Sequence, residues 1–166
     1  MRFLAGFLTA LVLLAVAGFL YFQMGFAPVA TASAPMPFEK LLAGLGLRAR
    51  IAKDAPDKPP ITPDENAYLA AAHTYRQQCA VCHGLPDQAQ TAIAKGMYPE
   101  PPQLFIHKVT DDPAGETYWK VANGIRLTGM PGFKGSLSET EMWQVSLLLA
   151  NADKLPPSAT EILKQP

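Results

Sequence analysis

The pattern of apolar and polar positions changes abruptly along the chain. Phe3 to Phe22 is twenty residues without a charge, FLAGFLTALVLLAVAGFLYF. At ~1.5 Å rise per residue this predicts a helix ~30 Å long, enough to cross the hydrocarbon core of a bilayer. Arg2 precedes it and the next basic residue is Lys40. The positive-inside bias therefore leaves the N-terminus in the cytoplasm and sends the remainder across. Residues 1–26 are read as a single-pass anchor. The alternative is a cleaved signal peptide, since Ala30-Thr31-Ala32 and Ala32-Ser33-Ala34 are small-residue triplets of the cleavable kind. The apolar run exceeds the ~7–15 residues of a signal core, and both triplets lie well past its end, so the anchor is preferred.

Residues 27–62 read as a linker. Ala27 to Pro37 is rich in Ala, Pro, Ser and Thr. Within it, Phe38, Leu41, Leu42, Leu45 and Ile51 recur near helical spacing, with Glu39, Lys40, Arg48, Arg50 and Lys53 elsewhere, so a short amphipathic helix is expected over 38–53 despite Gly44 and Gly46. It packs on the following domain or a partner, or lies on a membrane surface. Asp54 to Pro63 (DAPDKPPITP) then breaks regular structure.

Residues 63–153 form the domain. Thr62 and Pro63 open a helix that runs to Gln78. Leu85 to Pro102 is loop-like, with a short helical possibility at Gln88–Lys95. Gly115 to Asn123 is helical, and Gly124 ends it as a C′ glycine. Ser138 and Glu141 form a capping-box pattern that starts a helix running to about Ala152. No segment alternates as a strand, so the domain is all-α. Residues 154–166 are left as a C-terminal tail.

Composition sharpens this division. Lys+Arg and Asp+Glu both number 14, so the formal net charge is zero, and no basic run points to nucleic acid. Hydrophobic residues make up 49 % and charged residues 17 %, an excess carried by the N-terminal run.

The chemistry is concentrated in Cys79-Ala80-Val81-Cys82-His83, a C-x-x-C-H pattern and the attachment signature of a c-type haem. Two thiols at this spacing, at a helix end, reach the vinyl groups on one haem edge, and the adjoining His83 presents a neutral imidazole to the iron. Cys79 and Cys82 are the only cysteines, which rules out a four-cysteine zinc site. The second axial ligand must come from downstream. Met130, in Gly129-Met130-Pro131-Gly132-Phe133, is a soft thioether suited to ferrous iron, on a backbone fixed by the glycine before it and the proline after it. Met97 is expected to pack over the haem, and Met142 to be core. His73 and His107 are weighed as ligands and set aside. Tyr98, Trp119 and Arg126 are possible hydrogen-bond donors to the haem propionates.

These residues resemble those of the class I cytochromes c. The likeness covers about Asp64 to Asp153 and rests on Cys79-x-x-Cys82-His83, on Tyr75 four residues before the first cysteine, on Asn123-Gly124-Ile125 leading to Met130, and on a terminal helix with Trp143. It implies an all-α cytochrome c fold, three to five helices around one covalent haem c, here preceded by a transmembrane helix. It implies His83 and Met130 as axial ligands and one-electron transfer through an exposed haem edge. It also implies a close crossing of the first and last helices. Ala71 stands where the family usually has glycine, so a slightly wider crossing is expected.

The expected role is therefore that of an electron carrier, not an enzyme. It is anchored in the inner membrane with its haem domain in the periplasm, either free or as a subunit of a respiratory or dehydrogenase complex. Its partners are redox proteins of a membrane respiratory chain or a periplasmic dehydrogenase, together with the membrane itself. The alternative is a haem-based sensor or peroxidase-like enzyme in which Met130 is displaceable.

Overall fold

The structure is a computed structural model and describes residues 2–106 and 109–165. Among these residues every regular element is helical. The chain separates into two compact units, Met1–Leu42 and Ala43–Pro166.

In the first unit, α1 spans Arg2–Gln23 with no buried residue. Its end is a Schellman closure. Gly25, at φ 74°, donates to the Phe22 carbonyl, and Phe26 donates to that of Tyr21. The Tyr21 and Phe26 rings lie 6.3 Å apart, the apolar contact that accompanies this motif. The predicted apolar helix is seen; its glycine stop was not anticipated. Helix α2 follows at Glu39–Asp54, and the division between units falls within it. Ile51, near its end, is buried.

In the second unit, α3 spans Glu65–Gln78. Its cap is Asp64, whose carboxylate accepts from the Ala67 amide at 2.7 Å. The start thus lies two residues later than Thr62-Pro63 suggested, because aspartate is the better cap and its charge also suits the positive helix end. One-turn helices α4 (Ala80–His83) and α5 (Ala92–Lys95) follow, then a 3-10 turn at Val109–Asp111. Helix α6 covers Ala114–Asn123 and ends at Gly124, φ 66°. Helix α7 covers Glu139–Ala150, and the Ser138–Glu141 capping box is formed in both directions.

Helices α3 and α7 pack against each other, and α7 also packs on α6. The first contact buries Ala71 and Ala72 completely, with Val145, Leu148 and Leu149. In the second, the Tyr118 and Trp143 rings stack at 4.1 Å. A third partner was not anticipated: the segment read as a tail carries α8, Pro157–Lys164, which packs on α3. The Pro156-Pro157 pair looks like a terminator, but proline at N1 is also a helix start. Ala159 and Leu163, one turn apart, are fully buried. Arg76 of α3 donates to the carbonyls of Ile162 at 3.0 Å and Gln165 at 2.6 Å, which satisfies the open end of α8.

If α8 belongs to the cooperative core, Leu163→Ala removes a fully buried side chain and is expected to cost about 2–4 kcal/mol in a denaturant melt. A loss under about 0.5 kcal/mol, the range of surface substitutions, would show that α8 is dispensable.

Candidate functional site

The site grows from the end of α3. Cys79 is its C-cap, donating to the Tyr75 carbonyl, and the chain turns directly into α4, where the His83 amide donates to the Cys79 carbonyl at 2.9 Å. The five residues of the motif are therefore one continuous stretch of helical backbone with a single break in direction. Gly84 then reverses the chain at φ 74°, and a Cβ there would lie 2.3 Å from Gln103 Oε1. Glycine is required at this point for conformation and for space.

The exposed carbonyls of this turn are all taken. The buried Tyr75 hydroxyl donates to the Gly84 carbonyl at 2.9 Å, and its ring meets Phe105 edge to face at 5.2 Å. The Leu104 amide donates to the His83 carbonyl at 3.1 Å. Gln103 Nε2 donates to the carbonyls of Cys82 (3.0 Å) and Pro101 (3.2 Å), and Thr91 Oγ1 donates to that of Val81 at 2.6 Å. Burial, and next the neighbouring Cys79, push the Tyr75 phenol above its ordinary range, so it stays a donor.

The His83 ring is held by its other nitrogen. Nδ1 lies 2.9 Å from the Pro102 carbonyl oxygen. A carbonyl can only accept, so Nδ1 carries the proton and Nε2 keeps its lone pair. This is the arrangement by which proteins orient a metal-binding histidine. Burial lowers the pKa of His83, against a smaller opposing effect of the Pro102 bond, so the ring is neutral near pH 7.

Cys79 and Cys82 form no disulfide with each other. Burial, and next the charge on Cys82, push the Cys79 thiol up to about 12. A thiol-disulfide redox pair needs the opposite, an exposed cysteine with a depressed pKa. Among the described residues no cluster of three or more His, Cys, Asp or Glu could hold a metal ion. The cysteine pair therefore suits neither thiol exchange nor zinc.

The opposite side is built by the turn after α6. The Ile125 amide donates to the Met130 carbonyl at 3.2 Å, and that of Phe133 to the Val121 carbonyl at 2.9 Å. Met130's own amide donates to Thr128 Oγ1 at 3.1 Å. The two strands of this loop touch at their glycines. A Cβ on Gly124 would sit 2.5 Å from Gly132 N, and one on Gly132 would sit 2.8 Å from the Asn123 carbonyl carbon. Gly129 instead faces the Met97 methyl, the mobile end of a side chain.

Cys79, Cys82, His83 and Met130 all line one cavity of about 450 Å³. That is within the ~300–1,000 Å³ typical of cofactor pockets. Leu104, Val145 and Leu149 supply apolar wall, and Met97 lines it as expected. The charged residues on the wall are Glu100, Asp112 and Lys120, the last two joined by a 2.6 Å ion pair. Two thiols, an oriented imidazole and a thioether around one apolar cavity fit a covalently attached haem. Tyr98, Trp119 and Arg126 are not among its lining residues, whereas Lys120 is. His73 is exposed and Met142 is core. His107 lies outside the described residues. Gln103 and Pro102 were missed by sequence reasoning. The Pro99–Pro102 run signalled only a rigid loop, and nothing local marks which carbonyl a distant histidine will use.

Residues 66–147 match the family model described as cytochrome c oxidase, cbb3-type, subunit III. No curated protein matches the chain.

Gly124→Ala places a methyl group against the Met130 loop at a left-handed φ. It is expected to destabilise the domain by about 2 kcal/mol or more in a denaturant melt. An unchanged midpoint would mean that the α6 end and the methionine loop do not form the contact described.

Proposed function

Because the chain is a c-type cytochrome with covalently bound haem c, an electron carrier, we propose that it works as a membrane-anchored monohaem protein on the periplasmic side. Cys79 and Cys82 would hold the haem as thioethers, and His83 Nε2 and Met130 Sδ would be the donors to its iron. When bound, the haem supplies a one-electron iron couple, whose potential the protein sets through axial ligands and burial. One observation carries the ligand assignment: the 2.9 Å approach of His83 Nδ1 to the Pro102 carbonyl, which leaves Nε2 free on a cavity that Met130 also lines.

The chain's own residues do the positioning. Tyr75 and Gln103 fix the backbone on either side of His83, Pro102 fixes its ring, and the Gly124–Gly132 approach fixes the loop of Met130. Lys120 is the cation available to a haem carboxylate, in competition with Asp112. With His83 and Met130 both on the cavity wall, a bound iron would have two protein donors, which supports a carrier over a sensor or peroxidase-like enzyme, and Arg126, the cation nearest Met130 in sequence, is not on that wall.

The charge-free run Phe3–Phe22 of α1, with Arg2 at the head of the helix, supports an inner-membrane anchor over residues 1–26 with the remainder exported. We assign 27–62 as the connecting segment, 63–153 as the cytochrome domain and 154–166 as its C-terminal extension. The matched family is a subunit of cbb3-type cytochrome c oxidase, which supports membership of a respiratory complex of that kind. Tethering raises the effective concentration near such membrane partners.

Met130→Ala tests the assignment. The variant is expected to lose the weak far-red band of methionine-ligated ferric haem and to bind carbon monoxide when reduced. Its potential is expected to fall by on the order of 0.1 V, within the ≈ 0.8 V that axial ligands span. An unchanged spectrum and potential would remove Met130 from the iron, and ready carbon monoxide binding by the unmutated protein would favour a sensor.

A further inference from the structure

Helix α2 has two apolar faces, and the fold accounts for only one. Leu47 lines the haem cavity and Ile51, one turn on, is 4 % exposed, so this side is committed to the second unit. Leu41, Leu42 and Leu45 lie about 150° around the helix from that pair, at 3.6 residues per turn. They are 53 %, 66 % and 50 % exposed. Phe38, just before the helix, is 71 % exposed. A stripe of four large apolar side chains turned to water is costly for a soluble surface and marks an interaction site.

Two features identify what covers it. Arg48 and Lys53 flank the stripe on its two sides, both exposed, and Arg50, further round, is paired with Asp54 at 2.6 Å. An apolar stripe bordered by cations is the pattern of a helix lying in the headgroup region of an anionic bilayer. The second feature is continuity with the anchor. Only fifteen residues, 24–38, separate α1 from α2, which as a flexible segment reach about 20 Å. That connection itself exposes Phe26, Val29 and Met36. A helix so tethered meets lipid before any diffusing partner.

We propose that α2 is an interfacial helix. It lies on the anionic surface of the bilayer that α1 crosses, with Leu41, Leu42 and Leu45 at the boundary of headgroups and acyl chains and Arg48 and Lys53 at the phosphates. This rests on the reading of α1 as a membrane anchor.

The test uses the full chain with haem, reconstituted in nanodiscs of phosphatidylcholine alone or mixed with phosphatidylglycerol. Each disc also contains a phospholipid bearing a photoactivatable diazirine near its glycerol backbone, and lipid adducts are mapped by peptide. Adducts are expected in the ends of α1 and in the Phe38–Leu45 peptide, the latter several-fold stronger with phosphatidylglycerol. Leu41→Glu/Leu45→Glu is expected to reduce the α2 adducts about tenfold, with α1 adducts and the haem spectrum unchanged. Adducts confined to α1 would overturn the interfacial helix and leave the anchor standing. Absence of adducts from α1 would overturn the anchor itself. Equal α2 labelling in both lipids would overturn the role of Arg48 and Lys53.

Discussion

Everything at the site depends on how one imidazole is held. Iron ligation by His83 requires Nε2 to carry a lone pair and to point into the cavity, and both conditions are set at the far side of the ring. The Pro102 carbonyl accepts from Nδ1, which selects the tautomer, and the polyproline run that carries it has little freedom to move away. The acceptor is placed by Gln103, the next residue, which is buried and donates both to Cys82 and to Pro101. One amide side chain therefore ties the cysteine turn to the loop that orients its histidine. Tyr75 closes the circuit from α3 by holding the Gly84 carbonyl, and burial keeps its hydroxyl protonated for that purpose.

The methionine wall uses a different device. Besides the Thr128 hydroxyl, which accepts from the Met130 amide, the contact that places this loop is backbone on backbone. The approach at Gly124 and Gly132 leaves no space for a Cβ on either side, and the amides of Ile125 and Phe133 close hydrogen bonds across it. Such a contact is stiff because it has no rotamers to relax. The histidine side is thus oriented by a polar network and the methionine side by steric closeness. They are joined through α7, which packs on α3 at one end of the site and on α6 at the other. Trp143, stacked on Tyr118, and Val145, against the α3 face, anchor those two contacts.

Much of this was legible along the chain because the signals are local. Cys79-x-x-Cys82-His83 sets its own chemistry through spacing, the Ser138–Glu141 box sets a helix start, and Gly124 sets a helix stop. What was not legible depends on partners distant in sequence. Gln103 is an ordinary glutamine until the fold brings it against Cys82. Lys120 lines the cavity where the chain's own signals pointed to Tyr98, Trp119 and Arg126, because which residues of α6 face the cavity depends on how that helix packs on α7. Helix α8 is eight residues long, too short to hold itself together. It exists because Leu163 and Ala159 are buried on α3 and Arg76 satisfies its last carbonyls, none of which shows in residues 154–166 alone.

The same architecture makes the cofactor part of the core. In a domain of about a hundred residues the apolar side chains are few, and here Leu104, Val145, Leu149 and Phe133 are turned toward the cavity. Apolar surface stabilises the folded state only where it meets other apolar surface. A haem between these walls supplies that surface, and covalent attachment through Cys79 and Cys82 prevents its loss by dissociation. The attachment motif therefore has a second consequence beyond redox chemistry. It converts a binding equilibrium into a permanent part of the fold, so that a change at either cysteine acts on stability as well as on electron transfer.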